Sequence, residues 1–200
     1  MTSRDEFARR GGLFAALAIA TTLVFALPAG AAGGDNVVLA FNSADDSHLP
    51  RSGVAVTTAA ADTVDTENLA YAKASCSGCR TVAVAVQAVL ITSDASVITP
   101  KNVAVAVNEN CTSCETMAAA YQYVVTTGGP AHLSATGQQK VAQLRREIGA
   151  VAASGLSFPE LEGALDELVE RLRLVIDEEI VSAGGTPAGA VERQVHRDAA

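Results

Sequence analysis

The chain has 200 residues, a formal net charge of −8 and no tryptophan, and 49% of its residues are hydrophobic. This length suggests one domain, or one small domain with an appendage. The negative charge repels phosphate groups, which argues against nucleic acids and anionic membrane surfaces as partners. Because only 4% of the residues are aromatic, the core must be built largely from small side chains that pack closely.

Residues 1–31 have the pattern of an export signal. Basic residues come first, an apolar stretch covers 13–27, and Pro28 is followed by the small residues of a signal-peptidase site at 29–31. We therefore expect a secreted or cell-surface protein with no membrane contact after signal cleavage. The alternative is a protein anchored in the membrane by an uncleaved N-terminal helix, although the apolar stretch is shorter than the roughly 20 residues of a spanning helix.

Residues 32–67 predict N-terminal strands and loops. The stretch from Asn36 to Asn42 has the frame of the repeats described below, which indicates a third, degenerate copy without cysteines. A polar, turn-rich loop follows over 42–50, and alternation from Gly53 to Thr58 predicts a strand. His48 lies in this loop near two aspartates, and we interpret that group as a solvated turn, not a metal site.

Residues 68–130 contain a duplication. Cys76 and Cys79 form one Cys-x-x-Cys motif, and Cys111 and Cys114 form a second, thirty-five residues later. After each motif the two copies agree at every second residue, whereas the intervening residues differ. Agreement at period two is typical of one face of a strand. The shared positions are Thr81/Thr116, Ala83/Ala118, Ala85/Ala120, Gln87/Gln122 and Val89/Val124.

Each copy is therefore predicted to form an antiparallel β-hairpin with its Cys-x-x-Cys motif at the turn. One face of the hairpin carries Ala, Thr and Gln, which lets another layer approach closely, and the other carries Val, Leu and Tyr, which can support a core or a helix. The good helix formers after Cys114 leave a helix there as an alternative. The expected fold class is α+β, with the hairpin repeat followed by an antiparallel helical hairpin.

The four cysteines, Cys76, Cys79, Cys111 and Cys114, are the candidate site residues, and four chemistries are open to them. They can form two local disulfides, disulfides between the copies, one four-cysteine zinc site, or a redox-active pair. Arg80 follows the first motif and Glu115 the second, so the copies differ in the charge that would tune a reactive thiol. We expect a structural role with no cofactor, and one zinc ion is the alternative.

Residues 131–183 predict the helical hairpin. Apolar residues from Val141 to Val151 recur three or four apart, and a second helix opens at Ser157 with a Ser157/Glu160 capping box. Its leucine stripe is expected to pack on the first helix or on the sheet, with a protein partner as the alternative. Residues 184–200 are rich in Gly, Ala and mixed charge and predict a disordered tail.

The repeat region resembles the exported C-terminal Cys-x-x-Cys region of actinobacterial peptide zinc metalloproteases, which are multi-pass membrane proteins, and of small secreted relatives. The resemblance covers 68–148 and lies in the pattern Asn-x-Ala-x-Ala, Cys-x-x-Cys, Thr-x-Ala-x-Ala-x-Gln. It implies a role beside such a peptidase, not protease activity. The metalloprotease helix needs His-Glu-x-x-His, and none of the three histidines is followed by glutamate.

The sequence lacks the other common catalytic patterns as well. It has no nucleophile elbow and no phosphate-binding glycine loop, and His132 has the context of a surface or capping residue. We therefore expect a secreted, non-catalytic structural or protein-interaction module stabilised by its cysteines, with a partner bound through the repeat sheet or the leucine-rich helix. The alternative is a thiol–disulfide or zinc-dependent accessory protein that acts beside a membrane peptidase.

Overall fold

The computed structural model describes residues 34–183 and a strand at 192–199, so the predicted signal peptide, 1–31, lies outside the described residues. These residues form strands and two helices in the following order: β1 (Asn36–Asn42), β2 (His48–Ala59), β3 (Thr63–Ala74), β4 (Arg80–Ile91), β5 (Val97–Asn108), β6 (Glu115–Thr126), β7 (Ala131–Leu133), α1 (Ala135–Ala152), α2 (Phe158–Glu179), β8 (Ile180–Ser182) and β9 (Glu192–Ala199).

The first six strands alternate between two parallel sheets. Sheet I contains β1, β3 and β5, and sheet II contains β2, β4 and β6, with β9 added to β6 in antiparallel direction. The chain thus winds through three rungs: β1 and β2 form rung 1, β3 and β4 form rung 2, and β5 and β6 form rung 3. Each rung crosses from sheet I to sheet II, which makes the architecture a two-sheet parallel solenoid joined to a helical hairpin.

The prediction of antiparallel hairpins is therefore wrong, although the α+β class and the strands after each Cys-x-x-Cys motif are confirmed. The two strands of one copy face each other through their side chains and hydrogen-bond instead to the same strands of the next copy. Asn68 pairs with Asn102 in one sheet, and Gln87 pairs with Gln122 in the other. Stacking of the copies places amide beside amide and alanine beside alanine. A hairpin within one copy cannot give this matching of identical residues.

The degenerate first copy predicted from Asn36 to Asn42 is confirmed as β1, since Asn36 pairs with Asn68 in the register of the later copies. The side chains of these asparagines form a ladder inside the solenoid. Asn36 Nδ2 donates to Asn68 Oδ1 at 2.8 Å, and Asn68 Nδ2 donates to Asn102 Oδ1 at 2.7 Å. Such in-register amide ladders add hydrogen bonds along the stacking direction and fix the register of sheet I.

A second, shorter ladder runs inside sheet II. Gln122 Nε2 donates to Gln87 Oε1 at 2.7 Å, and Gln87 Nε2 donates to the Gly34 carbonyl at 2.7 Å. Gln122 also reaches the Thr66 hydroxyl of sheet I at 3.2 Å, so it connects the two sheets. Both glutamines are buried. The pairing therefore satisfies the Gln87 carbonyl and an N–H of each amide, which would otherwise be costly to bury.

Between the sheets lies a core made almost entirely of alanine. Its fully buried members include Ala70, Ala72, Ala83, Ala85, Ala118 and Ala120, with Val38 and Ala40 at the first rung. Small side chains let the two sheets approach closely, as the sequence predicted for the Ala, Thr and Gln face. The opposite face of sheet II, rich in Val, Leu and Tyr, packs against the helical hairpin. As a result β4 is buried on both sides over nearly its whole length.

The helical hairpin follows the sequence prediction closely. The leucine stripe of α2 is buried in the core shared with sheet II, which confirms the intramolecular prediction for it. At the start of α2, Glu160 Oε2 accepts hydrogen bonds from the backbone N–H and the hydroxyl of Ser157, and a proline occupies the first turn. At the other end, Lys140 and Ser134 both bond to the Glu179 carboxylate, which ties the start of α1 to the end of α2. Neither helix is apolar enough to cross a bilayer.

The C-terminal segment differs from the predicted disordered tail in part. Residues 192–199 form β9, which pairs antiparallel with β6 from Ala119 to Thr126, whereas 184–191 lie outside the described residues. The antiparallel direction ends the parallel stack of sheet II. Because β9 is antiparallel, it does not continue the register of the rungs. It covers the edge of β6, which would otherwise be free to pair with another strand.

The turns that carry the motifs share a left-handed residue. Asp46, Gly78 and Ser113 occupy equivalent positions with φ of 51°, 62° and 54°. A Cβ built on Gly78 would lie 2.6 Å from Asp46 Oδ1, so glycine is required there for close approach as well as for backbone conformation. Left-handed backbone costs a non-glycine residue about 1–2 kcal/mol.

We expect Gly78→Ala to lower the free energy of unfolding by about 1–2 kcal/mol, because alanine adds the left-handed penalty at this turn. Ser113→Gly should have the opposite sign and raise it by roughly 0.5 kcal/mol, after the extra entropy of the unfolded chain is subtracted. Gly155→Ala is the control, since a Cβ there meets nothing within 4 Å. Urea denaturation of the three variants checks these values, and a loss for Gly155→Ala as large as that for Gly78→Ala would contradict the explanation.

Candidate functional site

The motif turns of the three rungs stack directly on one another along one lateral edge of the solenoid, where each rung passes from sheet I to sheet II. Ser77 and Thr112 form a parallel bridge between rungs 2 and 3, and the Gly78 N–H donates to the Thr112 carbonyl at 2.9 Å. The turn of rung 1 has no cysteine. It is joined to rung 2 by the Asp45 carboxylate, whose Oδ1 accepts a hydrogen bond from the Ser77 N–H at 2.8 Å. The stacking holds both Cys-x-x-Cys motifs side by side.

The cysteines pair within each motif. Cys76 and Cys79 lie at disulfide distance, as do Cys111 and Cys114, and the Cα atoms of each pair are 6.0 Å apart. Of the four predicted chemistries, this arrangement fits the two local disulfides, and cross-copy disulfides are not the pairing found. The inner pair is buried, whereas the outer pair on rung 3 is half-buried.

The two pairs also touch each other. The Cys79 and Cys114 sulfurs are 3.4 Å apart, and the Cys114 sulfur contacts the Cys76 carbonyl oxygen at 2.7 Å. The sulfurs of Cys76, Cys79 and Cys114 all lie within 4.8 Å of one another. Among residues 34–183, no other group of three or more His, Cys, Asp or Glu side chains comes within metal-binding distance. The four cysteines therefore form one chemical site, which we call the sulfur cluster.

Arg80 and Glu115, whose opposite charges distinguish the two motifs in sequence, are neighbours in register and form an ion pair at 2.7 Å. The guanidinium of Arg80 also lies 4.3 Å from the centroid of the Phe158 ring and donates to the Leu156 carbonyl. Its charge thus attaches the edge of the solenoid that carries the motifs to the loop of the helical hairpin. The difference between the copies has a structural explanation in this pairing.

The histidines considered in the sequence do not join the sulfur cluster. His48 opens β2 beside Arg80, and burial, followed by the positive charge of Arg80, lowers the pKa of its imidazole from the ordinary value. His132 is exposed on β7 and lines a pocket of about 390 Å³ next to α1. Arg145 also lines this pocket, and its guanidinium donates to the Val54 carbonyl. Neither histidine has the neighbours of a catalytic pair or a metal site in the described residues.

A second candidate feature, the outer face of sheet I, was not singled out from the sequence. Its side chains alternate with the interior alanines and asparagines along three adjacent strands, and four of them expose more than a third of their surface, with Phe41 at 58%. Phe41 and Tyr71 place their ring centroids 5.5 Å apart. We call this set the apolar outer face; it comprises Val37, Leu39, Phe41, Leu69, Tyr71, Val103, Val105 and Val107.

The apolar outer face has a charged border. Lys101 pairs with Asp65 at 3.2 Å toward one end of the strands, and Lys73 pairs with Glu109 toward the other. An apolar centre surrounded by ion pairs is the usual anatomy of a protein–protein interface. The alternation of Val37, Leu39 and Phe41 was the available signal for it in the sequence, but it becomes a surface only when the parallel register places three strands side by side.

No protein-family model, curated protein or solved structure matches this chain. The resemblance to the exported region of peptide zinc metalloproteases therefore stays a prediction. The geometry of the sulfur cluster and of the apolar outer face is what indicates the chemistry of the protein.

Proposed function

We propose that the protein is a non-catalytic interaction module: a solenoid, stabilised by its cysteines, that binds a protein partner on the apolar outer face. The observation that carries this proposal is the contrast between the two sheets. Sheet II covers its outer side chains with the helical hairpin, whereas sheet I exposes Leu39, Phe41 and Val103 in the described part of the chain. Contiguous exposed apolar surface with a polar border is typical of a binding site.

The chemistry of the partner follows from the way the chain covers sheet II. There, an amphipathic helix buries one leucine or isoleucine per turn against valine and tyrosine side chains of the strands. The apolar outer face offers the same kinds of side chain at the same strand spacing. We therefore assign it a partner segment with a stripe of aliphatic residues, in the form of an amphipathic helix.

A photoreactive residue at Leu39 tests this proposal in the cells that produce the protein. It should give a discrete covalent adduct with another protein, and Phe41→Glu should lower the yield of that adduct at least tenfold, because a charge then replaces the most exposed apolar side chain of the face. The matched control is a photoreactive residue at Leu174, which is 44% exposed on the far side of α2. The Leu174 probe should give no such adduct.

Equal adduct yields from Leu39 and Leu174 would contradict the proposal, as would an adduct at Leu39 that persists in the Phe41→Glu variant. Crosslinking only to a second copy of the chain would overturn the assignment of a different partner. Because Phe41 is exposed and its main contact is the Tyr71 ring, its replacement should lower the unfolding midpoint only slightly, and a control denaturation curve separates lost binding from lost structure.

The predicted alternative, a thiol–disulfide or zinc-dependent accessory protein, is favoured by one specific observation. The sulfurs of two different motifs lie within contact distance in the sulfur cluster. That observation concerns a different part of the molecule from the apolar outer face, so the two functions can coexist in one chain.

A further inference from the structure

We propose that the sulfur cluster is a switchable metal site: once both cysteine pairs are reduced, the four thiolates bind one zinc ion. Oxidised, the same four sulfurs form two disulfides and have no free ligand to offer. Metal binding and disulfide formation at this edge of the solenoid therefore exclude each other.

The distances support a four-thiolate site. Zinc binds cysteine sulfur at about 2.3 Å in tetrahedral geometry, which places the ligand sulfurs roughly 3.8 Å apart. The Cys79 and Cys114 sulfurs are already 3.4 Å apart, and Cys76 completes a triangle in which no separation exceeds 4.8 Å. Cys111 shares a turn with Cys114, with its Cα 6.0 Å away, so rotation of its side chain supplies the fourth ligand.

The backbone around the cluster is ordered before any metal binds. The bridge between Ser77 and Thr112 and the hydrogen bond from Glu115 N–H to the Cys79 carbonyl, at 2.9 Å, hold the two motifs at sheet spacing. A zinc ion bound there needs side-chain rotation and no large chain rearrangement, so little binding energy is spent on ordering the site. The half-buried Cys111 and Cys114 leave a path for the ion on the rung 3 side.

The electron and proton balance is simple. A dithiol reductant gives two electrons and two protons to each disulfide, becomes a disulfide itself and leaves two cysteine thiols, so two equivalents open both pairs. One Zn²⁺ then replaces four thiol protons and forms four zinc–sulfur bonds, which makes binding pH-dependent. Reoxidation by a disulfide oxidant takes four electrons from the thiolates and releases the ion.

The test uses the full chain, reduced with a phosphine, freed of the reductant without oxygen and titrated with Co²⁺ as a spectroscopic probe. We expect one Co²⁺ per chain with the visible bands of a tetrahedral thiolate complex, displacement by one equivalent of Zn²⁺, and no such bands for the oxidised chain. Cys111→Ser should weaken Co²⁺ binding at least tenfold. Ser77→Ala is the control in the same stack of turns and should bind Co²⁺ like the unchanged chain.

A second measurement covers the case in which reduction loosens the structure. Zn²⁺ should raise the melting temperature of the reduced chain, and Cys111→Ser should abolish that increase. The proposal is overturned if the reduced chain gains no stability from Zn²⁺ and shows no stoichiometric thiolate bands with Co²⁺. It is equally overturned if the oxidised chain binds Co²⁺ as well as the reduced one, because carboxylates would then be the ligands.

Discussion

Replacement of Asn68 by alanine should be the most damaging single change in the asparagine ladder, with an expected loss of roughly 3–5 kcal/mol in the free energy of unfolding. Asn68 is fully buried, and its amide group lies within hydrogen-bond distance of Asn102 Oδ1 and of the carbonyls of Ala85 and Tyr121. Alanine removes these donors and leaves buried acceptors unsatisfied, at about 1–3 kcal/mol for each. Guanidinium denaturation measures the change.

The matched control is Asn36→Ala at the outer end of the same ladder. Asn36 is only partly buried, and water can replace its bonds to Asn68 Oδ1 and the Val86 carbonyl. Its loss should cost about 1 kcal/mol, the net value of an exchangeable hydrogen bond. Equal losses for the two variants would mean that the ladder acts through register alone and that burial of the central amide does not matter.

Ala85→Leu should be the second large change, with an expected cost of about 3 kcal/mol or a failure to fold, since overpacking of a tight core costs this much or more. Ala85 is fully buried between the sheets, in the same cluster of small side chains as Ala70, Ala72 and Ala120. A larger side chain there must push two hydrogen-bonded sheets apart along all three rungs.

Ala88→Leu provides the comparison, because Ala88 lies in the same strand and is equally buried but belongs to the core facing the helical hairpin. Helices held by side chains shift more easily than a sheet held by two ladders, so we expect less than half the loss seen for Ala85→Leu. Thermal denaturation of both variants, with circular dichroism to confirm folding, checks the ratio. A larger loss for Ala88→Leu would show that the distance between the two sheets adapts to a larger side chain more easily than the distance between sheet II and the helices.

The sequence predicted the faces of the strands correctly and their partners incorrectly. The period-two agreement between the copies separated Ala, Thr and Gln from Val, Leu and Tyr, and these two sets do lie on opposite faces. A hairpin and a parallel rung have the same pattern along one strand, since alternation reports the faces of a strand and not the strand to which it pairs. The decisive signal was the set of equal amides, Asn68 with Asn102 and Gln87 with Gln122, which gain hydrogen bonds when identical copies stack.

The helical hairpin was predictable because its signals are local. The capping residues Ser157 and Glu160 and the spacing of the leucines depend only on neighbouring residues. The sulfur cluster was predictable as a set of four cysteines, but the contact between Cys79 and Cys114 depends on the stacking of rungs. For the same reason the apolar outer face was missed, because its strands are far apart in the chain.

The constant register of the rungs decides where the length of this protein can change. Equivalent asparagines are separated by 32 residues between rungs 1 and 2 and by 34 between rungs 2 and 3. The difference lies in the loops at 60–62 and 92–96, while β2 to β6 each keep 12 residues. One residue inserted within a strand would turn every following side chain to the opposite face. A whole copied rung would instead lengthen the stack by about 4.8 Å and bring its own asparagine, glutamine and cysteine pair. Growth of the protein in evolution is therefore expected in whole rungs, with small insertions confined to the loops at 60–62 and 92–96 and to the motif turns, which have five residues at 75–79 and six at 109–114.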